Sequence, residues 1–184
     1  MKNLFFLVLL CIGFNASTYA QAPSYTDFEW DILRFGYVIP GGDGVSGGLA
    51  ISGEPRYNLT DNLSIGLRGE FALFGSGDDS GNVDIGAAAS YVLIGDYYFN
   101  TTSSKRPFAG FGIGSFDSGN VTITDGNGNE TEFSAGSGFG VVPRVGYEFG
   151  HLRLSAEYNL LFKEGASNYL GIHLGITLFG GYDG

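Results

Sequence analysis

The stretch "PRYNLTDNLSIGLRGEFALF", Pro55 to Phe74, decides the fold. It reads as two strands joined by the polar turn "NLTDN". In the second strand Leu63, Ile65, Leu67, Phe71 and Leu73 fall on one face, and Ser64, Arg68 and Glu70 on the other. Alternation of this kind marks a β-strand with one apolar and one polar side. It does not say which side is the interior.

The same period of two recurs along the chain, broken by turn residues, and no long segment has helical spacing. Eight strands are expected: Phe28–Ile39, Leu49–Leu59, Leu63–Phe74, Val83–Phe99, Phe108–Phe116, Gly138–Phe149, Leu152–Phe162 and Tyr169–Phe179. The connections alternate in character. "NLTDN", "NTTSSKRP" and "GH" form one set. "PGGDGVSGG", "GSGDDSGN", residues 117–137 and "KEGASN" form a longer, more acidic set. An up-and-down barrel places each set at one end.

Two architectures produce such a pattern. A soluble barrel buries the apolar face. A transmembrane barrel turns it to lipid and lines the lumen with the polar face. Three features favour the second. The polar face holds Arg, Glu, Gly and Ser but no Lys, and all but one of the chain's Arg lie on it: Arg34, Arg56, Arg68, Arg144 and Arg153. Glu54, Glu70, Asp96, Glu148 and Glu157 match them there, with His173 beside them. The strands are about 9 to 13 residues long, the fourth longer still, where roughly 9–11 tilted residues cross a bilayer. Aromatics collect near strand ends, as interfacial girdles do: Tyr57, Tyr97, Phe99, Tyr147 and Phe149 at one end, and Phe71, Phe74, Phe116, Phe139, Tyr158, Phe162 and Tyr169 at the other.

Residues 1–20, "MKNLFFLVLLCIGFNASTYA", read as a cleaved signal peptide: Lys2, an apolar run from Leu4 to Phe14, then a small-residue site at Ala20. Residues 21–184 then form one barrel domain. A lipid anchor at Cys11 is the rival reading; Leu10 stands where a small residue is expected, and Cys11 lies inside the apolar run. Cys11 is the single cysteine, so cleavage leaves no disulfide or thiol chemistry. The net charge of −10 argues against nucleic acid as a partner. Gly, at 32 of 184 residues, far exceeds the usual ~7%, yet 15% aromatics and 43% apolar residues exclude disorder.

The segments "EPRYNLTDNLSIGLRGEF", "ASYVLIGDYYFN", "RPFAGFGIGS" and "NYLGIHLGITLFGG" resemble the small outer-membrane β-barrel family of Gram-negative bacteria, the group of the OmpA transmembrane domain, OmpX and OmpW. The resemblance implies an eight-stranded antiparallel barrel, periplasmic termini and surface-exposed loops. It leaves the role open among structural proteins, adhesins, small channels and a few lipid-modifying enzymes. The family's last strand usually ends on an outward Phe that the assembly machinery reads. Here Leu178 holds that phase and Phe179 the opposite one.

An eight-stranded barrel is only wide enough for side chains to fill it. Arg34, Glu54, Arg56, Arg68, Glu70, Asp96, Arg144, Glu148, Arg153, Glu157 and His173 are therefore expected to form a lumen charge network. Inward Gly86, Gly110, Gly112, Gly114, Gly140 and Gly175 would give the long side chains room. A plugged lumen is one reading; a narrow path for ions or small apolar solutes is the other.

No catalytic residue, metal site or cofactor is expected. A lipid-modifying site would need His, Ser and a carboxylate on the outward face, whereas His173 is inward and His151 sits in a turn. Asp125, Asn127 and Asn129 open like a calcium loop, but Glu130 replaces the required Gly and Gly136 the closing Glu. A hairpin of "VTIT" and "TEFS" is the plainer expectation. Pro55 and Pro143 each remove a ladder donor, so a bulge or a missing bond is expected at both. The expected partners are outer-membrane lipids and lipopolysaccharide, the assembly machinery, and an extracellular ligand met by the loops.

Overall fold

The computed structural model describes residues 26–41, 47–77, 83–100, 103–119, 122–124, 130–132, 137–162 and 167–178. The expected signal peptide 1–20, the calcium-like residues Asp125, Asn127 and Asn129, and Phe179 lie outside them.

Ten strands follow in order: β1 (Phe28–Pro40), β2 (Gly48–Thr60), β3 (Leu63–Gly77), β4 (Val83–Tyr98), β5 (Lys105–Gly119), β6 (Thr122–Thr124), β7 (Glu130–Glu132), β8 (Ser137–Phe149), β9 (Leu152–Leu161) and β10 (Tyr169–Leu178). Eight close into an antiparallel up-and-down barrel, β1-β2-β3-β4-β5-β8-β9-β10. Pairing of β1 with β10, from Trp30 against Leu178 to Pro40 against Tyr169, completes the ring. The other two strands form a separate hairpin, Thr122–Thr124 against Glu130–Glu132, one residue earlier on its second arm than "TEFS" suggests.

The side chains divide as the alternation requires. On β10, Ile172, Leu174, Ile176 and Leu178 are exposed, while Gly171, His173, Gly175 and Thr177 are buried. Around the ring Phe35 is 60% exposed and Leu49 69%, whereas the neighbouring Arg34 is 0% exposed. The barrel is apolar outside and charged within.

Four local features depart from a uniform ladder or from expectation. β1 carries a bulge: Ile32 and Leu33 both face outward, and the register with β2 and β10 shifts there. That extra residue lets Glu29 and Asp31 point inward on odd positions and Arg34 on an even one. At the two prolines the ladder skips rather than bulges. β2–β3 pairing omits Glu54 and Pro55, and β8–β9 pairing omits Val142 and Pro143, each resuming in the same register. The turn between β8 and β9 is Gly150–His151, with Gly150 at φ 59°, a left-handed conformation that glycine adopts without steric cost.

The fourth departure corrects the aromatic girdle. Tyr97 and Phe99 pack edge to face at 5.5 Å on the outer wall, and Tyr147 and Phe149 lie 4.4 Å apart. Phe74, Phe116 and Tyr169, however, belong to the lumen. Phe116 and Tyr169 are buried, and Phe74 packs against Tyr169 at 5.4 Å. Their positions share the parity of inward residues, and parity outweighs their nearness to a strand end.

Candidate functional site: the charged lumen

All eleven residues expected in the lumen are buried there. They form one connected network rather than isolated pairs. Arg144 on β8 holds two carboxylates. It donates to Glu54 through Nη1 at 2.7 Å and Nη2 at 2.6 Å, and to Asp96 through Nε at 2.8 Å and Nη2 at 2.5 Å. Arg153 shares Asp96 at 2.5 Å and also pairs with Glu148. Arg34 shares Glu54 at 2.9 Å, donates to Ser155 at 2.7 Å and pairs with Glu157. Arg68 pairs with Glu157 and donates to Asn159 at 2.8 Å. Arg56 reaches Glu148 at 2.6 Å and Asp31 at 3.1 Å.

Glycines make these reaches possible. Asp96, Gly110 and Arg144 stand side by side on β4, β5 and β8. A Cβ on Gly110 would overlap Asp96 Oδ1, so the missing side chain is the gap through which Asp96 meets Arg144. Likewise a Cβ on Gly175 would lie 2.7 Å from Cγ of Arg34. The His173 ring occupies the space that side chains at Gly36 and Gly171 would fill.

Three charged members escape the sequence reading. Arg106 reads there as part of the "NTTSSKRP" connection; in the structure β5 begins at Lys105 and Arg106 points inward. It donates to Glu29 at 2.8 and 3.0 Å and to Glu148 at 2.5 Å, and stacks 3.9 Å over the Tyr98 ring. Its parity with Gly110 and Gly112 is the signal that finds it. Glu29 and Asp31 are hidden by the bulge, which puts them out of phase with the rest of β1.

The lumen also holds an apolar cluster. Val38, Ala50, Ala72, Phe116 and Tyr169 lie on the longer-connection halves of their strands, and Val92, Ile94 and Val142 lie deeper, with Val92 opposite Arg68; Phe74 and Leu161 pack against it. Tyr169 joins the cluster to the charges by donating its hydroxyl to Glu70 at 2.7 Å.

Glu70, Glu157 and His173 bring ligand-type atoms within 4.8 Å of one another, although no metal site is expected from the sequence. Glu157 is already paired with Arg34 and Arg68, and these guanidiniums would compete with a metal. Neither histidine lies on the outer wall beside a Ser and a carboxylate: His173 is buried in the lumen, and Nδ1 of His151 meets the Thr177 carbonyl oxygen at 3.1 Å.

Comparison with solved structures places the architecture. The outer membrane protein OprG from Pseudomonas aeruginosa superposes with a TM-score of 0.57 over 86% of this chain and 95% of its own, at 11% identity. Neisserial surface protein A gives 0.54 over 84% and 97%, at 14% identity. The fold is that of the small outer-membrane barrels. No protein-family model and no curated protein matches the sequence, so the likeness is one of architecture.

Proposed function

We propose that this chain is an integral outer-membrane protein that spans the bilayer as a closed, plugged barrel and acts through its outer wall and its long connections. The observation that carries the reading is the inversion of polarity. A wall of exposed Leu, Ile, Phe and Tyr surrounds a lumen of buried Arg, Glu and Asp. Such a wall is stable in hydrocarbon, and a closed barrel leaves no unpaired strand edge there. The two superposed proteins, an outer membrane protein and a surface protein, accord with it.

The guanidinium–carboxylate network and the apolar cluster together close the lumen in this reading. The role is therefore structural or adhesive: contact with membrane lipid and lipopolysaccharide along the wall, and with an extracellular ligand at the loop end, with both termini periplasmic. The assembly machinery would meet the end of β10, where Leu178 is the last outward residue described, 44% exposed. No catalytic step, cofactor or nucleic acid enters the proposal.

The test is refolding of the mature protein into planar bilayers. The expected result is a heat-dependent shift in gel mobility and no steady conductance. Steady openings that vanish on changing Arg68 or Glu70 would establish a narrow pore instead. A protein that stays monomeric without detergent and shows no mobility shift would overturn the membrane assignment.

A further inference from the structure

The outer wall carries two glycines that the barrel's own packing does not require. Gly53 on β2 and Gly69 on β3 pair across the ladder. They stand at outward positions, where the same strands carry Ile51, Tyr57, Leu67 and Phe71. Neither has the left-handed backbone of Gly150. A Cβ on Gly53 would meet nothing nearer than the Ile32 carbonyl oxygen at 3.4 Å, and one on Gly69 nothing nearer than Tyr91 Cε1 at 3.9 Å, both ordinary contacts. The inward Gly110 and Gly175 differ, because lumen side chains fill the space they leave. A glycine inside a strand also marks a place where a ligand approaches closely, and at Gly53 and Gly69 the free space lies outside the barrel.

The pair floors a groove of about 440 Å³ in the outer wall. Ile51, Phe71 and Ala89 form a bank, the bulged Ile32 and Leu33 one end, and Tyr91 the other. Ser52 and Glu70 also line it, but both are buried. The groove crosses from β1 to β4, three strand spacings or roughly 14 Å. It is one row of side chains wide, the row that the glycines leave out.

That shape selects the occupant. A helix, about 10–12 Å across with its side chains, does not enter a slot one side chain wide. A strand needs a free sheet edge, and the closed barrel has none. A polymethylene chain fits, and the groove is continuous with the apolar wall read above as facing lipid. Farther along the same line of register, Gly69 to Tyr91 to Ser115 to Phe139, a second hollow of about 320 Å³ opens beside Ser115 and Ser137. These exposed serines lie at the strand ends that flank residues 117–137. An apolar groove in the mid-wall with hydroxyls toward the loop end has the polarity of one lipid of the loop-side leaflet.

The geometry points to a lipid seat: the Gly53–Gly69 groove holds one acyl chain of a lipid from the loop-side leaflet, with the polar head toward Ser115 and Ser137. The seat presupposes the membrane-spanning barrel proposed above.

Native mass spectrometry tests it, on mature protein refolded into phosphatidylethanolamine vesicles and released in mild detergent. One phosphatidylethanolamine per barrel is expected to stay bound. Gly69→Leu and, on the other strand, Gly53→Leu fill the groove and should lose it. Val145→Leu adds bulk on the wall outside the groove, 58% exposed, and should keep it. A second arm combines Trp30→Phe with Tyr91→Trp, which puts the chain's single tryptophan at the end of the groove. Lipid brominated on its chains should quench it in the released complex, whether or not the leucine variants fold. A parent without bound lipid, leucine variants that keep it, loss in Val145→Leu, or an unquenched tryptophan would each overturn the seat. A dimer abolished by the leucine variants would give the groove to a second copy and overturn it too. Heat-dependent gel mobility reports folding: a parent that shifts but holds no lipid refutes the seat alone, whereas one that never shifts and stays monomeric without detergent refutes the membrane reading.

Discussion

Replacing Arg144 with Met tests how much of the barrel's stability rests on the shared charges. The guanidinium forks onto two carboxylates, Glu54 and Asp96, with four donor contacts between 2.5 and 2.8 Å. Removing one partner of a buried pair costs about 3–5 kcal/mol, because the other is left uncompensated. Here each carboxylate keeps a second arginine, Glu54 through Arg34 at 2.9 Å and Asp96 through Arg153 at 2.5 Å. The low end, about 3 kcal/mol, is therefore expected. Arg144→Lys should recover only part of it, since one ammonium cannot serve two forks at once. Adding Glu54→Gln to Arg144→Met removes the stranded charge, so the pair should couple by about 0.5–3 kcal/mol. Urea unfolding in lipid vesicles measures all of these. Trp30, the single tryptophan, lies on the outer wall 41% exposed and would report loss of the bilayer environment. A loss under about 1 kcal/mol for Arg144→Met, or a lysine variant equal to the parent, would refute the view that the paired charges hold the lumen.

Further expectations concern the wall, the glycine gaps and the turn. Leu93→Arg places a charge on the outer face, 55% exposed and away from both strand ends; it should cost about 2–4 kcal/mol in vesicle unfolding, whereas a soluble barrel would tolerate it. Gly110→Ala should destabilise the parent by displacing Asp96 from Arg144 and by pressing on the Gly95 carbonyl oxygen, 2.7 Å from the new Cβ, and an Asp96→Ser background should relieve the first part only. Equal losses in both backgrounds would contradict the gap reading. Gly150→Ala should cost about 1–2 kcal/mol through its left-handed backbone alone, since open space surrounds the position. A neutral result in the same unfolding assay would contradict it.

Much of the site is legible in the chain. In β3, β9 and β10 the alternation runs unbroken, so Arg68, Glu70, Arg153, Glu157 and His173 fall on the inward face from local spacing alone. Extended geometry turns each successive side chain over, and the absence of Lys from that face marks it as a lumen. Where a local rule meets a non-local one, the reading fails. The adjacent Ile32 and Leu33 break the phase of β1 and hide Glu29 and Asp31. Arg106 sits beyond the first obvious apolar residue of its strand. Phe74, Phe116 and Tyr169 lie near strand ends as girdle residues do, but their parity sends them inward.

The sequence by itself determines the strands, their two faces and the inversion of polarity, because these depend on spacing within ten or so neighbouring residues. Partner choice is different. Arg144 meets Glu54 across 90 positions and Arg34 meets Glu157 across 123. Those meetings exist only because β1 closes on β10 and brings all eight inward faces around one narrow axis. The apolar cluster beside the charges, the glycine gaps that let Asp96 reach Arg144, and the approach of His173 to Glu70 are all set by that closure. They follow from which side chains share a level inside the ring, a relation that no single strand contains.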